Sequence, residues 1–120
     1  DISTRISPGR IDATYRVGEK LFAAEWETGN VSSSHRAVNK MALGIVSGKL
    51  IGGALIVPTR EMYQYLTDRI GNFEELEPYF DLWRALSCEE GLLAIMAVEH
   101  DNVSKDVPRI PKGTNGRALR

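Results

Sequence analysis

Apolar positions along the chain change their period several times, and each change marks an element. Residues 11–17 and 21–27 are short strand-like stretches on either side of Gly18-Glu19-Lys20. Two such stretches across a tight connection predict an antiparallel pair. Beyond residue 30 the spacing becomes helical. Ala37, Val38, Met41, Ala42, Ile45 and Val46 make one broad apolar face up to Lys49. Ser32, Ser33 and Ser34 are candidate N-caps for that helix. Residues 51–57 are continuously apolar around Gly52 and Gly53, a pattern that suits a strand covered on both faces.

The second half alternates in the same way. Pro58-Thr59 predicts a helix running to about Ile70, with Gly71 as its C-terminal cap. Asn72-x-x-Glu75 is a capping signal, and Pro78 suits the first turn of a further helix. Residues 92–98 form the last apolar strand, ending in Glu99-His100-Asp101. The order β-β-α-β-α-(α)-β predicts an α/β fold, a mixed sheet with helices on its faces. Residues 1–10 are polar, break at Pro8-Gly9 and read as a loop. The chain opens on Asp1 and reaches its first strand almost at once, so an N-terminal element is expected to be missing. The expected division is a core over residues 1–101 and a basic extended tail over residues 102–120.

Composition narrows this picture only slightly. With 120 residues, 42% of them apolar and 26% charged, the chain fits one small domain with a real core. A net charge of −1 argues neither for nor against a nucleic-acid partner, so distribution matters more. Lys105, Arg109, Lys112, Arg117 and Arg120 make the tail locally basic. The lone Cys88 excludes an internal disulfide and fits a reducing, cytoplasmic setting. No apolar run approaches the ~20 residues of a membrane-spanning helix.

The chemistry concentrates at "LFAAEWETGN", where an apolar run ends on two carboxylates. Glu25 and Glu27 are two residues apart, so on a strand they point to the same side. The antiparallel hairpin sets Asp12 beside them. Three convergent carboxylates are poor neighbours unless water, a cation or a metal separates their charges. Hard oxygen ligands of this kind suit Mg²⁺ or Mn²⁺. On spacing alone, a solvated strand edge explains the same residues slightly better, because E-x-E is a common accident. The flanking helix adds Arg36 and Lys40, four residues apart and expected to share a face. Its hydroxyl-rich N-terminus, with free N–H groups and a positive dipole end, suits a phosphate. Asn30, Ser33, Ser34, His35, Arg36 and Lys40 are therefore candidates to bind a phosphodiester.

Asp12, then Glu25-x-Glu27 on the next strand, then a helix with a polar and basic start, resembles the PD-(D/E)xK nuclease superfamily. The stretches "EWETGNVSSSHRAVNKM" and "GGALIVPTREMYQYLTDRIGN" resemble type II restriction endonucleases of the BamHI and BglII kind. The resemblance covers roughly residues 9–101. It implies a Mg²⁺-dependent endonuclease acting on double-stranded DNA as a homodimer, with the phosphodiester-binding candidates as DNA-binding residues. It also implies metal ligation by Asp12 and Glu25, with Glu27 as a further ligand or a base. Glu27 stands where most of the superfamily has lysine, and Ile11 stands where a proline is expected. Lys40, on the following helix, is a candidate for the displaced lysine.

Other residues have plainer readings. His100 sits between two acids, but adjacent strand positions face opposite ways and cannot converge on one metal without a bend. His35 can contact DNA or be an ordinary surface histidine at a helix start. Tyr79, Phe80 and Trp83 suit either helix packing or a dimer contact. Tyr63 and Tyr65 suit base stacking or core packing. Two rivals to the nuclease reading remain. One is a catalytically inactive nuclease fold used for DNA binding or assembly. The other is an α/β interaction domain whose acids decorate an edge.

Overall fold

A computed structural model of the chain describes residues 11–27, 29–66 and 70–109. Its framework is a four-stranded mixed sheet in the order β1-β2-β3-β4. Strand β1 (Ala13–Val17) runs antiparallel to β2 (Lys20–Trp26), with Ala13 opposite Ala24 and Val17 opposite Lys20. Helix α1 (Val31–Val46) then carries the chain over the sheet to β3 (Leu50–Pro58), which lies parallel to β2. Three short turns of helix follow: α2 (Arg60–Tyr63), α3 (Phe73–Leu76) and α4 (Phe80–Arg84), the last two joined by a 3₁₀ turn at Glu77–Tyr79. Strand β4 (Leu92–Val98) closes the order, parallel to β3. The predicted α/β mixed sheet flanked by helices is what forms.

Helix α1 owes its place to its apolar stripe. Ala37, Val38, Met41 and Ile45 are buried together with Ala23, Leu55 and Val57 of the sheet, and Leu76 and Trp83 complete the core. Close approach between helix and sheet depends on Gly53, where an added Cβ would sit 2.8 Å from the Met41 sulfur. The same tightness holds within the sheet. A Cβ on Gly52 would lie 2.8 Å from the Leu92 carbonyl oxygen and 2.8 Å from the Phe22 ring. The two glycines in the apolar run thus set strand–strand and helix–sheet spacing. Strand β3 itself is buried or half-buried along its whole length on both faces, as its continuous apolar run predicts, while Tyr15, Trp26, Leu92 and Met96 of the neighbouring strands are exposed on the face shared by Gly52 and Phe22.

Several boundaries differ from the sequence reading. The α1 cap is Asn30, whose Oδ1 accepts the Ser33 N–H at 3.1 Å, and the serines lie inside the first turn. The helix ends at Val46 because Gly48 takes a left-handed φ of 80°. The helix expected to reach Ile70 stops after Tyr63, and residues 67–69 lie outside the described part. Helix α2 has no fully buried residue, so little offsets the nucleation cost of a longer helix there. The Asn72-x-x-Glu75 signal holds: Asn72 Oδ1 accepts the Glu75 N–H at 3.2 Å and its amide donates to the Glu75 carboxylate. Of the basic tail, Lys105 and Arg109 are exposed, while Lys112, Arg117 and Arg120 lie outside the described residues, as does the N-terminal loop.

Replacing Gly52 with Ala should test the strand–strand contact, since the Leu92 carbonyl it would meet beside the Phe22 ring is backbone and cannot swing aside. We expect Gly52→Ala to lower unfolding free energy by about 1–3 kcal/mol, seen as a lower urea midpoint at unchanged slope.

Candidate active site

The hairpin register delivers the expected juxtaposition. Since Ala13 faces Ala24, Asp12 falls opposite Glu25, at the end of the sheet where β2 stops. Asp12 extends the ladder with its side chain: its Oδ2 accepts the Trp26 N–H at 3.0 Å. Glu27 lies just past the strand, where its own N–H still donates to the Ile56 carbonyl at 3.1 Å. Its carboxylate folds back and its Oε1 accepts the Gly29 N–H at 2.7 Å. A Cβ on Gly29 would sit 2.7 Å from that same oxygen, so glycine is what admits the fold-back. The sequence reading missed both of these backbone donors. A glycine two residues beyond an acid was the available signal for the second.

Glu25 turns inward, to the face that α1 covers. Its Oε1 accepts from the Lys40 ammonium at 2.5 Å, with the two side chains only 7% and 10% exposed. Removing one partner of such a buried pair generally costs about 3–5 kcal/mol, because the other charge is left without compensation. Among the described residues the other ion pair, Arg84 with Asp81, is exposed.

Burial raises the pKa of Glu27 above 4.5, and the Glu25 and Asp12 charges push the same way. The Gly29 N–H and the Lys40 charge pull it back. The charges of Asp12, Glu25 and Lys40 thus all act on the Glu27 carboxyl. The donor set is carboxylate oxygen, which fits a hard divalent cation. In this conformation, however, each acid is engaged by a protein donor. Among the described residues no three acidic, histidine or cysteine side chains lie close enough to enclose one ion.

The candidate DNA-binding residues separate into different environments. Arg36 is exposed at the start of α1, whereas Lys40, one turn on, is turned into the Glu25 pair. The two do not share a solvent face. Ser34 is fully buried against Gly71, where its hydroxyl has no hydrogen-bond partner among the described residues, so in this conformation it is closed to a phosphate. Asn30 and Ser33 are half-buried and tied to each other through the cap. His35 stacks edge-on to Tyr79 at 4.4 Å, beside Trp83. The Trp83 indole donates to the Asn39 side chain at 3.0 Å, which pins α4 to α1. Elsewhere, His100 contacts Tyr65 edge-on at 5.0 Å, while Glu99 and Asp101 are exposed. Cys88 is an exposed thiol.

A mixed sheet that brings an aspartate and an E-x-E pair to one strand end, beneath a helix that starts polar and basic, defines a nuclease-like α/β domain. The chain belongs to the restriction endonuclease BamHI family, whose sequence profile matches residues 1–117. It is 56% identical over 119 residues to the type II restriction enzyme OkrAI of Oceanobacter kriegii, covering 99% of this chain and 61% of that one. It is 40% identical over 101 residues to the type II restriction enzyme BamHI of Bacillus amyloliquefaciens, covering 84% of this chain and 45% of that one. The chain thus spans 61% or less of the length of these relatives.

The raised pKa of Glu27 gives a pH test. Its folded-state pKa is above the unfolded one, so its contribution to stability is present below the unfolded value and lost as pH rises through the folded value. Glu27→Gln removes that loss. In thermal melts from about pH 4 to about pH 8, the variant should melt above the wild type at the neutral end. The gap should close as the pH falls.

Proposed function

We propose that this chain carries the catalytic core of a type II restriction endonuclease that hydrolyses phosphodiester bonds in duplex DNA with a divalent metal, Mg²⁺ or Mn²⁺. The observation that carries the reading is the register that sets Asp12 opposite Glu25, with Glu27 at the same strand end. Asp12 and Glu25 would hold the metal, with Glu27 as the third group of the site. When bound, a divalent ion stabilises charge on the phosphate and lowers the pKa of a water.

The remaining work falls to the chain. Glu27 keeps a higher proton affinity than an ordinary carboxylate, which suits it to accept a proton from the attacking water. Exposed Arg36, near the N-terminus of α1, supplies a fixed charge for the DNA backbone whether or not cleavage occurs. Asn30, Ser33 and His35 border the same helix start and would orient the strand. We further propose that two copies pair, since two active sites related by a two-fold axis match the symmetry of a duplex. Exposed Tyr79, which packs on His35, and exposed Leu82 on the adjoining α4 are the surface we assign to that contact.

The direct test is incubation of the full-length protein with mixed-sequence duplex DNA in Mg²⁺ and in EDTA. Cleavage in Mg²⁺ alone is expected. DNA binding without cleavage in any divalent metal would instead favour an inactive nuclease fold.

Binding and chemistry should also come apart by mutation. Glu25→Ala should abolish cleavage while leaving DNA affinity in Ca²⁺ intact or higher, because an anion near phosphate is gone. Arg36→Ala should weaken binding and reduce the salt slope by about one unit. Wild-type cutting by Glu25→Ala would remove Glu25 from the active site. In sedimentation, a wild-type dimer that Tyr79→Ala with Leu82→Ala converts to monomer would support the assigned contact, and a wild-type monomer with and without DNA would refute it.

A further inference from the structure

We infer that Lys40 is the resident cation of the acid cluster: it neutralises Glu25 while the site is metal-free and gives way when a divalent ion takes that carboxylate. This rests on the metal-binding reading of Asp12, Glu25 and Glu27 given above.

Three observations lead to it. The ammonium sits on Glu25 Oε1 itself, one of the oxygens a metal would need. Both side chains are nearly buried, so bulk solvent cannot take over the neutralising role cheaply. Glu25 also lies opposite Asp12 and two residues from Glu27, and the Lys40 charge reaches Glu27 as well. A buried acid with two acidic neighbours needs a positive charge whenever no metal is present.

Lysine suits this exchange better than arginine would. Its charge is compact, lies at the end of a flexible stem and makes no fixed bidentate fork. Its burial also argues against the phosphate contact first expected of it, since Arg36, one turn earlier, is the exposed cation of the pair.

The consequence is a pair of effects with opposite signs. Removing the ammonium leaves Glu25 buried and uncompensated, so the metal-free protein should be less stable. A metal arriving at the same carboxylate no longer has to displace a charge, so it should bind more tightly. A lysine that only braced the fold would lower stability without raising metal affinity.

Calorimetric titration of the DNA-free full chain with Ca²⁺ reads this directly, with no need of cleavage. Lys40→Met should melt at lower temperature in EDTA and bind Ca²⁺ about tenfold more tightly than the wild type. Lys40→Arg, which keeps a cation at the position, should bind within about threefold of the wild type. Equal or weaker Ca²⁺ binding by Lys40→Met overturns the inference. Should that variant not fold, nitrogen-15 spectra of the lysine side chains in the wild type decide. Saturating Ca²⁺ should shift the Lys40 ammonium resonance, identified by its loss in Lys40→Arg, and an unmoved resonance overturns the inference. Ca²⁺ binding that is abolished by Glu25→Gln but indifferent to Lys40→Met would leave the metal site standing and remove only the exchange. No Ca²⁺ binding by either the wild type or Lys40→Met would remove the metal site and the exchange with it.

Discussion

A carboxylate buried beneath a helix has to be neutralised where it stands, and the pairing of Lys40 with Glu25 is how this fold does it. The requirement fixes more than two side chains. Glu25 belongs to β2, Lys40 to α1, and the next helical residue, Met41, packs on Gly53 of β3. The ion pair therefore ties the end of one strand to the helix that leads into its parallel neighbour. An offset of the helix along the sheet would strand a charge in the interior and close the Gly53 contact at the same time. Electrostatics and packing demand the same position of α1, and that agreement marks a sequence committed to one structure.

Along α1 the chemistry changes with depth. The first turn is polar and capped by Asn30, with Arg36 reaching solvent. One turn further, the cation is turned inward to the acids. Beyond it, Met41 and Ile45 belong wholly to the core. On the flank, Asn39 accepts the Trp83 indole proton, and His35 rests on Tyr79. These contacts join α4 to the same half of the helix that carries the polar start. The exposed Arg36, the residues that hold α4 and the lysine of the buried acid pair thus share one helix, which keeps their relative positions fixed.

Much of this was legible because it is local. The hairpin follows from two strand-like runs and a short turn, and it alone brings Asp12 to Glu25. The α1 stripe and the Asn72-x-x-Glu75 cap follow from spacing. What spacing could not give is which neighbour a helix face meets. Arg36 and Lys40 are four residues apart, yet one borders solvent and the other borders the sheet, because the apolar stripe begins immediately beside them at Ala37 and Val38. Ser34, a candidate binding residue by its place in the first turn, is closed in by Gly71 from a segment far along the chain. The helix expected through residue 70 failed differently. Met62, Tyr63 and Leu66 have helical spacing but are only half-buried, and periodicity with so little burial does not hold a long helix.

The question raised by two acids closing an apolar run is answered by where the strand stops. Strand geometry alone would give Glu25 and Glu27 the same environment. β2 ends at Trp26, between them, so only Glu25 stays under the helix. Glu27 is released to curl toward the Gly29 N–H and remains half-buried. One acid is matched to a cation, and the other keeps a raised proton affinity among like charges. Carboxylates whose surroundings differ in this way can take different parts in one reaction. Here the difference comes from nothing more elaborate than a strand end and a glycine, with a lysine delivered from the next helix.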